Sequence, residues 1–428
     1  MFFDEIVSAQ KRGEAEGIPS ICSAHPWVLK AAMQKTLKVS ETFGVLLIEA
    51  TCNQVNQFGG YTGMTPADFV RFARGIAAEN GLPPERLILG GDHLGPSPWQ
   101  EETAERAMQK AAEMVQSYVQ AGFVKIHLDA SMKLGNDDPT HPLDVEHAAA
   151  RAAWLAKAAE ETLAKVSDPP QGLRYVIGAE VPLPGGATAH KDGLRVTTVE
   201  DARRTLEVTR EAFLREGLEA AWERVIALVV QPGVEFGDDF VLDYNPEVAC
   251  DLVRFSETMP FVYEAHSTDY QTRENLRNLV RDHFAILKVG PALTFAFREA
   301  VFALAHMEDE LFPVEERSNL MGVLEKAMQR EPSHWKKYYR GADRQLAFAR
   351  KYSLSDRARY YWLEPAVQVA LEKLLANLGS SPIPLTLLSQ FAPVQWRRIR
   401  TGQIRNSPPA VILDRIKSVL VDYAFACG

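Results

Sequence analysis

The sequence is poor in cysteine, with four in 428 residues. Cys22, Cys52, Cys250 and Cys427 are scattered without a CxxC pair, so neither a zinc knuckle nor a disulfide framework is expected, only reduced and mostly buried thiols. No apolar run reaches the roughly 18 residues of a membrane span. The opening MFFDEIVSAQKRGEAEG lacks the basic-then-apolar order of a signal peptide, which predicts a cytoplasmic protein. Basic charge is in deficit, 47 Lys plus Arg against 56 Asp plus Glu, a net charge of -9. Such a chain repels nucleic-acid phosphates, and neither a nucleic-acid nor a membrane partner is expected. GxxxxGK[ST] and a strand-linked GxGxxG are absent as well, which argues against a P-loop kinase and a dinucleotide enzyme.

What the chain has is alternation. Short β-branched runs ending in polar residues or glycine fall at Ser20–His25, Val45–Ala50, Leu87–Asp92, Val124–Asp129, Tyr175–Glu180, Val225–Gln231, Phe261–His266 and Phe284–Val289. Stretches with helical spacing separate them, among them Thr65–Glu79, Glu102–Ala121, Asp144–Ala164 and Val199–Arg215. Thr65 before Pro66 marks a helix start, and Gly81 and Gly122 mark helix ends. Eight parallel βα units close most naturally into an α/β-class (β/α)8 barrel, although an open doubly wound sheet would give the same alternation. Residues 1–310 are assigned to the barrel. Residues 311–428 read as a helical C-terminal region packed on it, with segments at Pro313–Arg330, His334–Arg340, Ala342–Arg350, Pro365–Leu378 and Pro408–Ala426.

Barrel active sites form where the strands end, because the βα loops converge there. Ionisable residues cluster at those ends: His25, Glu49, Asp92 with His93, His127 with Asp129, Glu180, Glu264 with His266, and Lys288. Imidazoles and carboxylates from different strands suit a divalent metal with an open coordination position. His93, Glu180 and His266, from alternate strands three, five and seven, are the preferred ligands. Zinc is the leading metal, with magnesium, manganese, nickel or cobalt as alternatives. Asp92, Asp129 and Glu49 are the candidate acid/base groups, and His127 is an alternative ligand, base or substrate contact. His25, followed by Pro26, reads as a helix-entry residue. Gln231 and Ser267 are candidate substrate contacts. Lys288 and Gly290, before the next helix, offer charge and free N–H groups to a phosphate. The Gly-rich QFGGYTGM after strand two reads as another such loop or a cover.

The runs CSAHP, IEATCNQVNQFGGYTGMTPADF, LGGDHLGP, KIHLDASM, VVQPGVEF, YEAHSTDYQT, HFAILKVGPALTF and YSLSDRARYYW, which span nearly the whole chain, resemble the GatZ/KbaZ family. The resemblance implies a TIM barrel related to class II ketose-bisphosphate aldolases. It also implies one of several activities: a noncatalytic partner of a class II aldolase catalytic subunit, a tagatose-6-phosphate kinase, or a ketohexose-phosphate 4-epimerase. GGDHLG resembles the aldolase Asp-His pair, with Asp92 as acid/base and His93 on zinc; IGAEVPLPGG echoes a glutamate-rich motif at Glu180, and His266 a later metal histidine. Strand six departs from the pattern by ending in Gln231 and Pro232.

The hydrogen on C4 of a 2-ketohexose is not next to the carbonyl, so simple deprotonation cannot invert that carbon. Cleaving and re-forming C3–C4 can, using a metal and a base at Asp92 or Asp129. The expected function is therefore a metal-dependent 4-epimerase of a phosphorylated ketohexose, interconverting fructose 6-phosphate and tagatose 6-phosphate. Its phosphate would be held by Lys288, or by Arg357 and Arg359 if the C-terminal region covers the mouth. The alternative is the noncatalytic aldolase partner; a homo-oligomer fits either.

Overall fold

The computed structural model describes residues 2–37, 44–141, 143–167, 172–178 and 195–428. Each of the eight strand runs contributes a strand: β1 Ile18–Cys22, β2 Leu46–Thr51, β3 Leu87–Leu94, β4 Lys125–Leu128, β5 Arg174–Ile177, β6 Val225–Val229, β9 Val262–Ala265 and β10 Phe284–Val289. All pair in parallel with the next barrel strand, and β10 pairs with β1 to close the ring. The open-sheet alternative is excluded. A hairpin, β7 Glu235–Phe236 with β8 Val241–Leu242, stands in the segment after β6. Strands β4, β6, β9 and β10 are buried along their whole length, as strands walled by helices outside and filled inside must be.

The helix signals act as the sequence suggests. Thr65 caps Pro66–Asn80 through a capping box with Asp68, and Gly81 and Gly122 end their helices at φ of 74° and 91°, a left-handed conformation that costs glycine little. The helix Phe2–Lys11, which the sequence did not announce, covers one end of the barrel. Its Phe3 and Ile6 pack with Ile18, Leu47, Val176, Ile226, Val262 and Ile286 from inside the strands. Asp4 and Arg174, 2.6 Å apart, pin it there.

Beyond Val289 the described residues form helices and turns without a further strand. The segment expected as Pro313–Arg330 is a 3-10 turn followed by the helix Leu320–Arg330, and His334–Arg340 is not a helix; Leu385–Phe391 and Pro393–Arg400 add two that were not expected. The final helix, Pro408–Cys427, lies against β1 and between the helices Pro26–Thr36 and Arg273–Arg281, while Pro291–Leu311 packs on it. It thus takes the ring place beside β1. Among the described residues, no helix is long and apolar enough to cross a membrane. Cys52 and Cys427 are buried, Cys22 is half-buried and Cys250 is exposed, and none of the four is joined in a disulfide.

Candidate active site

The site begins with LGGDHLG. Gly90 leaves room for its neighbours inside the barrel: a Cβ there would lie 2.9 Å from Cγ of Glu49 and 3.3 Å from Cβ of Lys125. Gly95 permits a closer approach still, since a Cβ would fall 1.6 Å from the carbonyl oxygen of Asp129. Between these glycines the register of β3 with β4 slips, and His93 adopts φ 49°. Such strain at a non-glycine residue is held only where its surroundings enforce it. Strict alternation would send Asp92 and His93 to opposite faces; the irregular strand end lets both line the same cavity.

Three imidazoles meet at this strand end, His93 and His266 on the cavity lining and His127 buried behind it. The rings of His93, His127 and His266 have centroids 4.8 to 5.1 Å apart. Each is held by a carboxylate at one nitrogen: His93 Nδ1 by Asp129 at 2.8 Å, His127 Nδ1 by Asp92 at 2.9 Å, and His266 Nε2 by Glu264 at 2.9 Å. That arrangement leaves Nε2, Nε2 and Nδ1 without a carboxylate hydrogen bond, His93 Nε2 standing 3.8 Å from Asp92 Oδ2, and orientation by a carboxylate is how metal-ligating histidines are usually fixed. Nε2 of His127 is buried and has no hydrogen-bond partner. Ligand-capable atoms of Asp92, His93, His127 and His266 all lie within 4.8 Å of one another. The donor set therefore fits a borderline divalent metal such as zinc.

Beneath the imidazoles lies a chain of buried charge. Nζ of Lys125 is 2.7 Å from Glu49 and 2.7 Å from Glu264. Nζ of Lys288 is 2.5 Å from Glu49, 2.8 Å from Asp92 and 3.6 Å from Glu264. Burial disfavours the charged forms of Asp92, Glu264 and Lys288, but their partners prevail. Burial pushes the Asp92 carboxyl up, yet His93, Lys288 and His127 hold it well below the usual range. Glu264 is held down in the same way, against its burial, by Lys125, Lys288 and His266. The Lys288 ammonium is kept charged by Asp92, Glu264 and Glu49 despite burial. His93 is raised, because Asp92 and Asp129 outweigh burial, whereas burial carries His266 down to about 3.

The cluster opens on a cavity of about 370 Å³. Its lining includes Asp92, His93, His266, Ser267, Lys288, Gly290, Arg357 and Arg359, so the C-terminal region does reach over the mouth. The Asp356 carboxylate pairs with Arg298 at 3.2 Å, and its charge also acts on Arg359, which donates to the Asp356 carbonyl oxygen at 3.2 Å. The Arg357 guanidinium lies 3.1 Å from the Tyr338 ring centre, and Arg359 donates to the Tyr360 hydroxyl at 3.0 Å. The Gly-rich loop joins them: Tyr61 meets Tyr360 and His334, which stack on each other at 4.6 Å.

Other expected site residues sit elsewhere or have other partners. Glu49 and Asp129 are buried behind the lining, Asp129 accepting from His93 and from Ser131. The Gln231 side chain accepts from the Gly233 N–H at 2.8 Å and stitches its own loop. The Gly290 N–H donates to Asp269, and Lys288 is surrounded by carboxylates, so neither is the free phosphate donor that was expected. Glu180 lies outside the described residues. His25 does stand at the entry of Pro26–Thr36, without a side-chain cap. Lys125, Asp269, His334, Tyr61 and Tyr360 were not anticipated. For Lys125 the sequence offers only its place in VKIHLD; its partners Glu49 and Glu264 come from two other strands.

The fold and the site define a (β/α)8-barrel protein with three imidazoles and a carboxylate converging at its mouth. The chain belongs to the family described as D-tagatose-1,6-bisphosphate aldolase subunit GatZ/KbaZ-like, whose model matches residues 3–428. It is 54% identical over 423 residues to a protein of Salmonella heidelberg named D-tagatose-1,6-bisphosphate aldolase subunit GatZ, covering 99% of this chain and 98% of that protein. A Klebsiella pneumoniae protein of the same name is 53% identical over 424 residues, covering 99% of each. A crystal structure described as a probable tagatose 6 phosphate kinase from Sinorhizobium meliloti matches with a TM-score of 0.86 and 44% identity, covering 96% of this chain and 100% of that one.

Proposed function

We propose that this chain is a metal-dependent ketohexose-phosphate 4-epimerase, acting by cleavage and re-formation of C3–C4 in fructose 6-phosphate or tagatose 6-phosphate. The observation that carries the proposal is the convergence of Asp92, His93, His127 and His266 on one another, with Asp92, His93 and His266 lining the cavity that Arg357 and Arg359 also line and His127 buried behind it. A divalent metal held by His93, His127 and His266, zinc foremost, would supply Lewis-acid polarisation of the sugar's ketone oxygen. Glu180 remains a proposed further ligand.

Asp92, ionised and beside the cavity, takes the proton of the C4 hydroxyl. C3–C4 breaks, its electron pair staying with the ketone half, and C4 becomes an aldehyde carbon. The aldehyde half, its phosphate held by Arg357 and Arg359, turns its other face. The bond re-forms and Asp92 returns the proton, so atoms and electrons balance without an oxidant. Lys288 holds Asp92 in place while Ser267 contacts the ketone half; Glu49 and Asp129 act behind them, Asp129 by orienting His93.

The test is to incubate the purified, metal-loaded chain alone with fructose 6-phosphate and follow tagatose 6-phosphate by NMR. Conversion is expected, falling about 10³-fold in Asp92→Asn; no conversion would overturn the proposal. The relatives' names favour a second reading, a noncatalytic subunit supporting a class II aldolase. That reading predicts no conversion by the chain alone, and higher activity or stability of a co-expressed aldolase catalytic subunit.

A further inference from the structure

Barrels of this class commonly hold phosphate between the loops after their seventh and eighth strands, at the N-terminus of a helix. Here those loops follow β9 and β10, and the helix is Pro291–Leu311. The place is already filled by the protein's own anion. Asp269, 3% exposed, accepts the Gly290 N–H at 3.0 Å and the Ala292 N–H at 2.8 Å on the same oxygen, Oδ1. Its loop is anchored through Thr268. Thr268 Oγ1 donates to the Lys288 carbonyl at 2.6 Å, and the Tyr423 hydroxyl donates to the Thr268 carbonyl at 2.9 Å. Burial lifts the Asp269 carboxyl to about 6, which still leaves it mainly ionised at neutral pH. Asp269 lines the same cavity as Arg357 and Arg359, cations supplied by the C-terminal region rather than by the barrel loops.

We infer that Asp269 is a specificity-determining residue: it occupies the barrel's usual phosphate place and so restricts the cavity to a ketohexose with a single phosphate, the one held by Arg357 and Arg359. The inference rests on the proposed ketohexose-phosphate reading and adds the reason that a second phosphate, on C1 of the ketone half, is disfavoured. To enter, that phosphate must displace a carboxylate from two N–H donors or lie against it, and like charges brought together discriminate strongly between ligands.

The experiment is calorimetric titration of the metal-loaded chain with tagatose 6-phosphate and with tagatose 1,6-bisphosphate. The expected result is at least about tenfold weaker binding of the bisphosphate, with that ratio shifting at least about tenfold towards the bisphosphate in Asp269→Ser. Serine retains an oxygen for the helix N–H groups, so the variant has a route to folding, and a thermal melt checks that it has folded. Equal or preferential binding of the bisphosphate by the unaltered chain overturns the role of Asp269 and leaves the ketohexose-phosphate reading standing. So does an unchanged ratio in folded Asp269→Ser. If neither sugar binds the unaltered chain, both ideas fall.

Discussion

The two ends of the barrel interior are built from the same strands and filled with opposite chemistry. At the covered end, Leu47, Val262 and Ile286 pack with Phe3 and Ile6. Two residues further along the same strands stand Glu49, Glu264 and Lys288, all buried and all in ion pairs. Period-two alternation keeps each pair on one face, so a single step up the barrel replaces close packing with paired charge. The apolar end stabilises by burial. The charged end gains little net stability from its pairs, because desolvation opposes them, but removing one partner strands the others. The difference separates a layer that holds the fold from one that orients the site.

Breaking the charged layer should have the largest effect. Lys125→Met leaves Glu49 and Glu264 without their shared cation and should cost about 3–5 kcal/mol in urea unfolding; a change under about 1 kcal/mol would mean that the layer relaxes freely. Ile226→Ala at the packed end should cost about 2–4 kcal/mol, yet leave metal affinity per folded molecule unchanged. Loss of metal affinity there would erase the division between the ends. Glu264→Gln should weaken metal binding about 10–100-fold in a chelator competition by loosening His266; unaltered affinity would remove Glu264 from the orienting layer.

The smallest effect concerns pH. His25 is buried and its pKa lies near 3 in the fold, against about 6.5 unfolded. The unfolded chain therefore binds the extra proton first, and the stability associated with neutral His25 is present above about pH 6.5 and lost as pH falls towards 3. Between pH 8 and pH 5 the unaltered protein should lose about 2 kcal/mol more than His25→Gln does. Equal losses would show that the buried imidazole charges without penalty.

Much of this was legible because the signals are local. β-branched runs and capping residues mark the strands and several helices, and Asp92, His93 and His266 fall where such runs end. Other features depend on distant partners. Lys125 reads as an ordinary strand residue until Glu49 and Glu264 face it from two other strands. His334 carries no signal of its own; Tyr61 and Tyr360 bring it to the mouth. His334–Arg340 has helical spacing, but Trp335 and Arg357 draw it into turns instead, Trp335 donating to the Met328 carbonyl and Arg357 to that of His334. Gln231 ends its strand as a substrate contact would, yet its own loop claims it.

The placement of Pro408–Cys427 bears on how the molecule is made. Lys417 reaches Gln34 across 383 residues, and Tyr423 secures the loop that carries Asp269. During synthesis, β1 and the strand-seven loop emerge long before the helix that covers and braces them. Docking of that helix is therefore a late, high-contact-order step, and the loop that carries Asp269 gains its brace from Tyr423 only after residues 408–427 have emerged.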